Sequence, residues 1–294
     1  MLVAVTAVAA VVIVLFTRVY NVKRVRRVLG TRAVRRAGAS GIIAGAEPFR
    51  LAGESSREVL LLHGFNDTPQ SVARFARALG GHGFSVTVPL LPGHGRAAES
   101  MPETDTANAW IAHARSSWEE IRARSPRAVL AGQSMGGAIA IILAEDAPPA
   151  AMVLLAPYVE MGWMARVLAR IWPLTSIVLP RLLSDPNRGL RDAGARAATL
   201  GGGYFTPRRL NELREVTARA QDAAARTQCP VLMLQGRTDY RIPSRSAQRT
   251  FDRLGSRDKE LVWIDNVGHV IAADSAPVDI AALTARWLDE RVPR

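Results

Sequence analysis

Ser134 lies in Gly132-Gln133-Ser134-Met135-Gly136-Gly137, with glycines on either side of the hydroxyl, between a β-rich run and a helical one. A serine hydroxyl is a weak nucleophile until a sharp strand-to-helix turn lifts it clear of a sheet. The flanking glycines remove side chains that such a turn would clash with. The chain downstream supplies a base and an acid. Asp239 closes Leu234-Gln235-Gly236-Arg237-Thr238-Asp239, and His269 closes Asn266-Val267-Gly268-His269, each just after an apolar run. The order Ser, Asp, His suits a carboxylate that orients an imidazole, which then takes the serine proton. His269 is the only histidine after Ser134, so the base has no downstream rival. Asp265 is a rival acid in the same turn as His269, and Asp274 reads as a cap or surface charge.

Acyl transfer also needs backbone N–H groups aimed at the developing oxyanion. Met135, next to the nucleophile, offers one, and Leu61-Leu62-His63-Gly64-Phe65 leads into a turn that nominates the Phe65 N–H as the other. His63 reads as a brace of that turn, and His94, in Pro92-Gly93-His94-Gly95, as a structural residue at a pocket rim.

These residues need rigid supports at strand ends. Short apolar runs at Arg57 to His63, Ser85 to Pro89, Arg127 to Ala131, Ala151 to Leu155, Val231 to Gln235 and Glu260 to Ile264 alternate with helical patterns. That alternation predicts an α/β domain with a mostly parallel sheet over residues 47–294. One connection, residues 158–229, is too long for a crossover helix and reads as an inserted helical cap. Its apolar first part offers Trp163, Met164 and Trp172 as candidates to line a substrate pocket, and Gly201-Gly202-Gly203 as a hinge.

Of 294 residues 48% are hydrophobic and 22% charged, which supports a sizeable core and excludes disorder as the main state. The formal charge of +12 is local: residues 18–36 hold eight basic side chains and no acid, leaving 30 basic against 26 acidic elsewhere. Basic residues clustered beside an apolar run, rather than interleaved with aromatics on a folded face, argue against a nucleic-acid partner. The apolar run Met1 to Phe16, extended to Tyr20, predicts a single membrane-spanning helix over residues 1–20, with Arg18 reaching the headgroups. Residues 21–46 then form a basic juxtamembrane segment and linker, and the positive-inside bias places the following domain on the cytoplasmic face. A single cysteine, Cys229, offers neither a disulfide nor a zinc pattern, and neither a metal nor an organic cofactor is expected.

Taken together, His63 to Phe65, Pro92 to Gly95, Gly132 to Gly136, the Asp239 turn and the Gly268-His269 turn resemble the α/β-hydrolase superfamily. The resemblance runs from Phe49 to the carboxyl terminus and is nearest the bacterial carboxylesterase, monoacylglycerol lipase and lysophospholipase branch. It implies a Ser134-Asp239-His269 triad, an oxyanion hole at Phe65 and Met135, and a short cap over an acyl pocket. It also implies cleavage of carboxylic esters of the acylglycerol or lysophospholipid type through an acyl-enzyme. Thioester or peptide cleavage on the same triad, or a degenerate membrane-tethered interaction module, are the alternatives. One departure is Asn66-Asp67, where relatives carry Thr or Ser followed by Gly; a carboxylate there would repel an oxyanion unless it points away.

Overall fold

The computed structural model describes residues 2–30, 41–54, 56–96, 105–185, 189–274 and 279–292. In chain order the elements are α1 (Leu2–Gly30), β1 (Phe49–Leu51), β2 (Glu58–Leu62), α2 (Ala73–Gly81), β3 (Ser85–Val88), α3 (Ala107–Arg124), β4 (Val129–Gln133), α4 (Met135–Asp146) and β5 (Ala151–Leu155). Then follow α5 (Trp163–Arg170), α6 (Trp172–Val178), β6 (Leu182–Leu183), α7 (Ala193–Ala198), β7 (Tyr204–Phe205) and α8 (Pro207–Ala224). The chain closes with β8 (Val231–Gly236), α9 (Ser244–Arg253), β9 (Lys259–Ile264) and α10 (Ile280–Arg291).

Seven strands form one sheet in the order β1-β3-β2-β4-β5-β8-β9, and only the edge pair β1–β3 is antiparallel. Helices cover both faces, so β2, β4 and β5 are buried along their whole length. This is why they read as unbroken apolar runs instead of alternating ones. The winding reverses at β2, which has β3 on one side and β4 on the other. In open α/β sheets that reversal leaves a crevice outside the carboxyl ends of the strands. The turns after β2, β4, β8 and β9, which carry Phe65, Ser134, Asp239 and His269, all open on that edge.

All six expected strands are present. β4 runs two residues further than its apolar run, because Gly132 still pairs with Leu62 and Leu154, and Gln133 with Leu155. β1 and the β6–β7 pair were not expected; at two or three residues they are too short to carry a periodicity.

The insertion between β5 and β8 has two characters. Its last helix, α8, buries Val216, Ala220, Ala223 and Ala224 against the core and packs on α4, as an ordinary crossover helix does. In the segment before it, α5 and α6 pack on α8, while Gly189 and Gly202 bond to the loops that carry His269 and Asn66 at the strand ends.

The amino terminus differs from expectation. Among the described residues no helix is long and apolar enough to cross a membrane, so the spanning helix expected over residues 1–20 is not borne out. The side chains of residues 2–5, 7 and 8, and residues 31–40 of the expected linker, lie outside the described part. α1 instead continues through the basic tract to Gly30 and docks on the cap. Arg18, expected at lipid headgroups, donates through Nη1 to the carbonyls of Ser176 (2.9 Å) and Ile177 (3.1 Å) at the end of α6. Carbonyls in a last helical turn lack intrahelical partners and attract cations, which accounts for the change. Asn21 reinforces the dock, donating to the Arg181 carbonyl (3.0 Å) and accepting from its N–H (3.2 Å).

Candidate active site

Ser134 adopts φ 57° and ψ −117° between β4 and α4. A non-glycine residue in that region is strained, and it persists only where its surroundings fix it. Here the Ser134 N–H donates to Leu155 O (2.9 Å), and its carbonyl accepts from the N–H groups of Ala138 (3.1 Å) and Tyr158 (3.0 Å). The glycine at 136 is forced, because a Cβ there would lie 2.3 Å from the Leu62 carbonyl oxygen.

The three residues nominated by type and order meet in space. His269 Nε2 is 2.8 Å from Ser134 Oγ, and His269 Nδ1 is 2.8 Å from Asp239 Oδ2. Asp239 also accepts from Gln235 Nε2 (2.9 Å) and from the N–H groups of Arg241 (2.8 Å) and Ile242 (3.0 Å). Burial pushes the Asp239 carboxyl upward, but the His269 contact and the two N–H donors outweigh it and hold the group below its ordinary value. Asp239 is therefore held ionised against His269 Nδ1, and Nε2 on the other side of the ring faces the Ser134 hydroxyl.

Several residues that position this line were not legible in the sequence. Gln133, the residue before Ser134, donates to His269 O (2.9 Å) and accepts from Ala272 N–H (3.3 Å). The His269 N–H donates to Gly189 O in the cap (2.7 Å). Asp274 is buried, not a surface charge: it accepts from the N–H groups of Gly268 (2.9 Å) and Asp192 (2.9 Å), tying the histidine loop to the cap. Asp265 is excluded as the acid, since it is exposed and paired with Arg237 (2.9 Å).

Phe65 lines the same pocket as Ser134, and Met135 begins α4. As the first residue of a helix, Met135 has an N–H with no intrahelical acceptor. A Cβ on the neighbouring Gly64 would stand 3.4 Å from Ser134 Cβ, so the turn after β2 lies directly against the nucleophile. His63 is a brace: Nδ1–H donates to Gly64 O (2.9 Å), and Nε2 accepts from Leu91 N–H (3.1 Å). Burial lowers its pKa to about 4 and keeps it neutral. His94 is likewise buried and held by Pro92 O (3.0 Å), and it faces Arg209.

The Asn66-Asp67 departure has a use. Asp67 turns its carboxylate to the Thr68 N–H (3.0 Å). Asn66, at φ 56°, donates to Ser184 Oγ (2.6 Å) and Gly202 O (3.0 Å) in the cap and accepts from Gly202 N–H (3.0 Å). The glycine break expected as a hinge is thus clasped by the loop beside the nucleophile.

The pocket at Ser134 is small, about 70 Å³, and the cap contributes Ser184, Asp185 and Phe205 to its wall. Trp163, Met164 and Trp172, the expected lining, are not part of it. Trp163 and Met164 are 70% and 62% exposed, because α5 buries only Ala169 and turns its large apolar residues outward. Asp185 instead closes the rim, where it accepts from Tyr240 Oη and pairs with Arg241 (3.1 Å).

A parallel sheet with a serine on a strained turn after a central strand, hydrogen-bonded to a histidine and through it to an aspartate after later strands, is the arrangement of a serine hydrolase of the α/β-hydrolase fold. Residues 53–276 match the family model described as serine aminopeptidase, S33 (Hydrolase_4), and the chain belongs to that family. It is 29% identical to the thermostable monoacylglycerol lipase of Bacillus sp. (strain H-257), over 79% of this chain and 90% of that one. It is 25% identical to a carboxylesterase of Bacillus subtilis (strain 168), over 78% and 90%. Among solved structures it superposes on a metagenome-derived lipolytic enzyme with a TM-score of 0.77 at 25% identity, covering 85% of this chain and 99% of that one. For the fold alone, the monoacylglycerol lipase of Paleococcus ferrophilus gives a TM-score of 0.69 at 23% identity, covering 83% and 99%.

Proposed function

We propose that this chain hydrolyses carboxylic esters of the acylglycerol or lysophospholipid type through an acyl-enzyme on Ser134. The observation that carries this reading is the continuous hydrogen-bond line Ser134–His269–Asp239. Ser134 Oγ attacks the acyl carbonyl as its proton passes to His269 Nε2. The carbonyl oxygen becomes an oxyanion that takes hydrogen bonds from the Phe65 and Met135 N–H groups. The tetrahedral adduct collapses, the leaving alkoxide takes the proton from Nε2, and the acyl group stays on Oγ. Water then repeats the sequence: His269 removes its proton, the second adduct collapses, and Ser134 is regenerated as the acid departs. Asp239 holds the imidazole and offsets its positive charge throughout. The lipase and carboxylesterase names of the relatives support an ester over an amide or thioester. A pocket of about 70 Å³ is far below the roughly 300–1,000 Å³ of sites that hold sizeable ligands, so an acyl chain enters only when the cap moves.

The same reading attaches the enzyme to the cytoplasmic face of a membrane through α1. Val12, Ile13, Leu15 and Phe16 are 56–72% exposed on that helix, next to a basic tract suited to an anionic leaflet.

The test is hydrolysis of esters from short acyl chains to monoacylglycerol, with thioester and peptide substrates alongside. Ester turnover that rises with chain length and drops by several orders of magnitude in Ser134→Ala is the expected result. Cleavage of thioester or peptide only would contradict the ester assignment.

A further inference from the structure

A second opening lies beside the catalytic pocket and is chemically unlike it. It is a groove of about 750 Å³ between the cap and the core. Three helices each turn one face into it: Arg166 and Arg170 stand one turn apart on α5, Arg214 comes from α8, and Arg249 and Arg253 come from α9. Arg241 completes the set from the turn after Asp239. Six arginines therefore face one acidic residue, Glu160.

Ion pairs elsewhere in the fold match single arginines with single acids, as in Arg226–Glu145 (2.5 Å) and Arg115–Asp146 (2.5 Å). In the groove Glu160 is taken up by Arg249 (2.5 Å), Arg241 by Asp185, and Arg214 by Glu215. The side chains of Arg166, Arg170 and Arg253 make no ion pair among the described residues, and Glu160 feels Arg253 as well as its partner Arg249. A concave wall of one charge concentrates its field, and the planar guanidinium matches the oxygens of phosphate in paired hydrogen bonds.

We propose that this groove binds a phosphate group, borne by the head group of a substrate lipid or by a free phosphate ester. Arg241 lines both the groove and the Ser134 pocket, so a phosphate held here is next to the ester-cleaving site. Trp163, 70% exposed at the groove wall, gives the lipid side of such a ligand an apolar neighbour. The substrate-lipid form rests on the esterase reading above, whereas phosphate binding does not.

The experiment uses the full chain at fixed ionic strength and has two arms. One compares kcat/KM for a monoacylglycerol and for the glycerol phosphate monoester of the same acyl chain. The other titrates inorganic phosphate and glycerol phosphate calorimetrically. Both are repeated in Arg166→Gln/Arg170→Gln/Arg253→Gln and in the single, exposed Arg170→Gln. A preference for the phosphate-bearing substrate that falls roughly tenfold or more in the triple variant, with monoacylglycerol turnover unchanged, supports the head-group form. Equal use of the two substrates with phosphate binding that the variants lose supports the free-ester form. Phosphate binding with no ester turnover keeps the groove and removes the esterase reading. No preference together with no variant-sensitive binding overturns the proposal.

Discussion

Asp239 and His63 are buried titratable groups tuned in opposite ways. Four donors hold Asp239 ionised, while burial with no anionic partner keeps His63 neutral down to about pH 4. An unfolded chain protonates His63 near its ordinary value of 6.5 and the folded chain does not, so acidification between these values favours unfolding. Urea denaturation is expected to show a loss of about 2 kcal/mol from this residue between pH 7 and pH 5, shrinking in His63→Gln. Unchanged stability at pH 5 would contradict the neutral brace. At this scale the meeting of Ser134, His269 and Asp239 was legible because the chemistry expected of them demands fixed residue types in a fixed order. Gln133 and Asp274 were not, because they act on backbone atoms of loops that only the folded topology brings near.

Elements place these residues by close approach of backbones. β4 carries its ladder to the residue before Ser134, and Gly202 in the cap sits against the loop that holds Phe65. A Cβ at Gly202 would lie 2.2 Å from Asn66 Oδ1. Gly202→Ala is therefore expected to push the Asn66 amide off Ser184 and Gly202, loosening the cap on the loop beside Ser134 and lowering kcat about threefold, while Tm drops only a few degrees. Gly81→Ala, whose Cβ meets nothing within 4 Å, serves as the control and should leave both unchanged. Equal kcat in the two variants would show that the cap does not hold the oxyanion turn. The long central strands were legible because burial on both faces leaves a continuous apolar run. The cap's orientation was not: α5 is amphipathic, and periodicity says that it has an apolar face without saying that this face points outward.

For the molecule as a whole, α1 adds an apolar and basic surface to a hydrolase domain of nearly balanced charge. Its end was misread because apolar length and basic flanks are shared by spanning helices and by helices that dock on protein, and Arg18 finds cap carbonyls in the fold. The full chain is expected to float with vesicles containing anionic lipid, and removal of residues 1–30 to abolish flotation while ester turnover of a soluble substrate persists. Flotation unaffected by that deletion would move the membrane contact elsewhere. Ser134 is the point on which residue, element and molecule converge, and mass spectrometry after treatment with a serine-reactive phosphonate tests it most directly. One adduct on the peptide containing Ser134, absent in Ser134→Ala and strongly slowed in His269→Gln, is the predicted result. An unlabelled Ser134 in folded protein, or labelling at the same rate without His269, would contradict it.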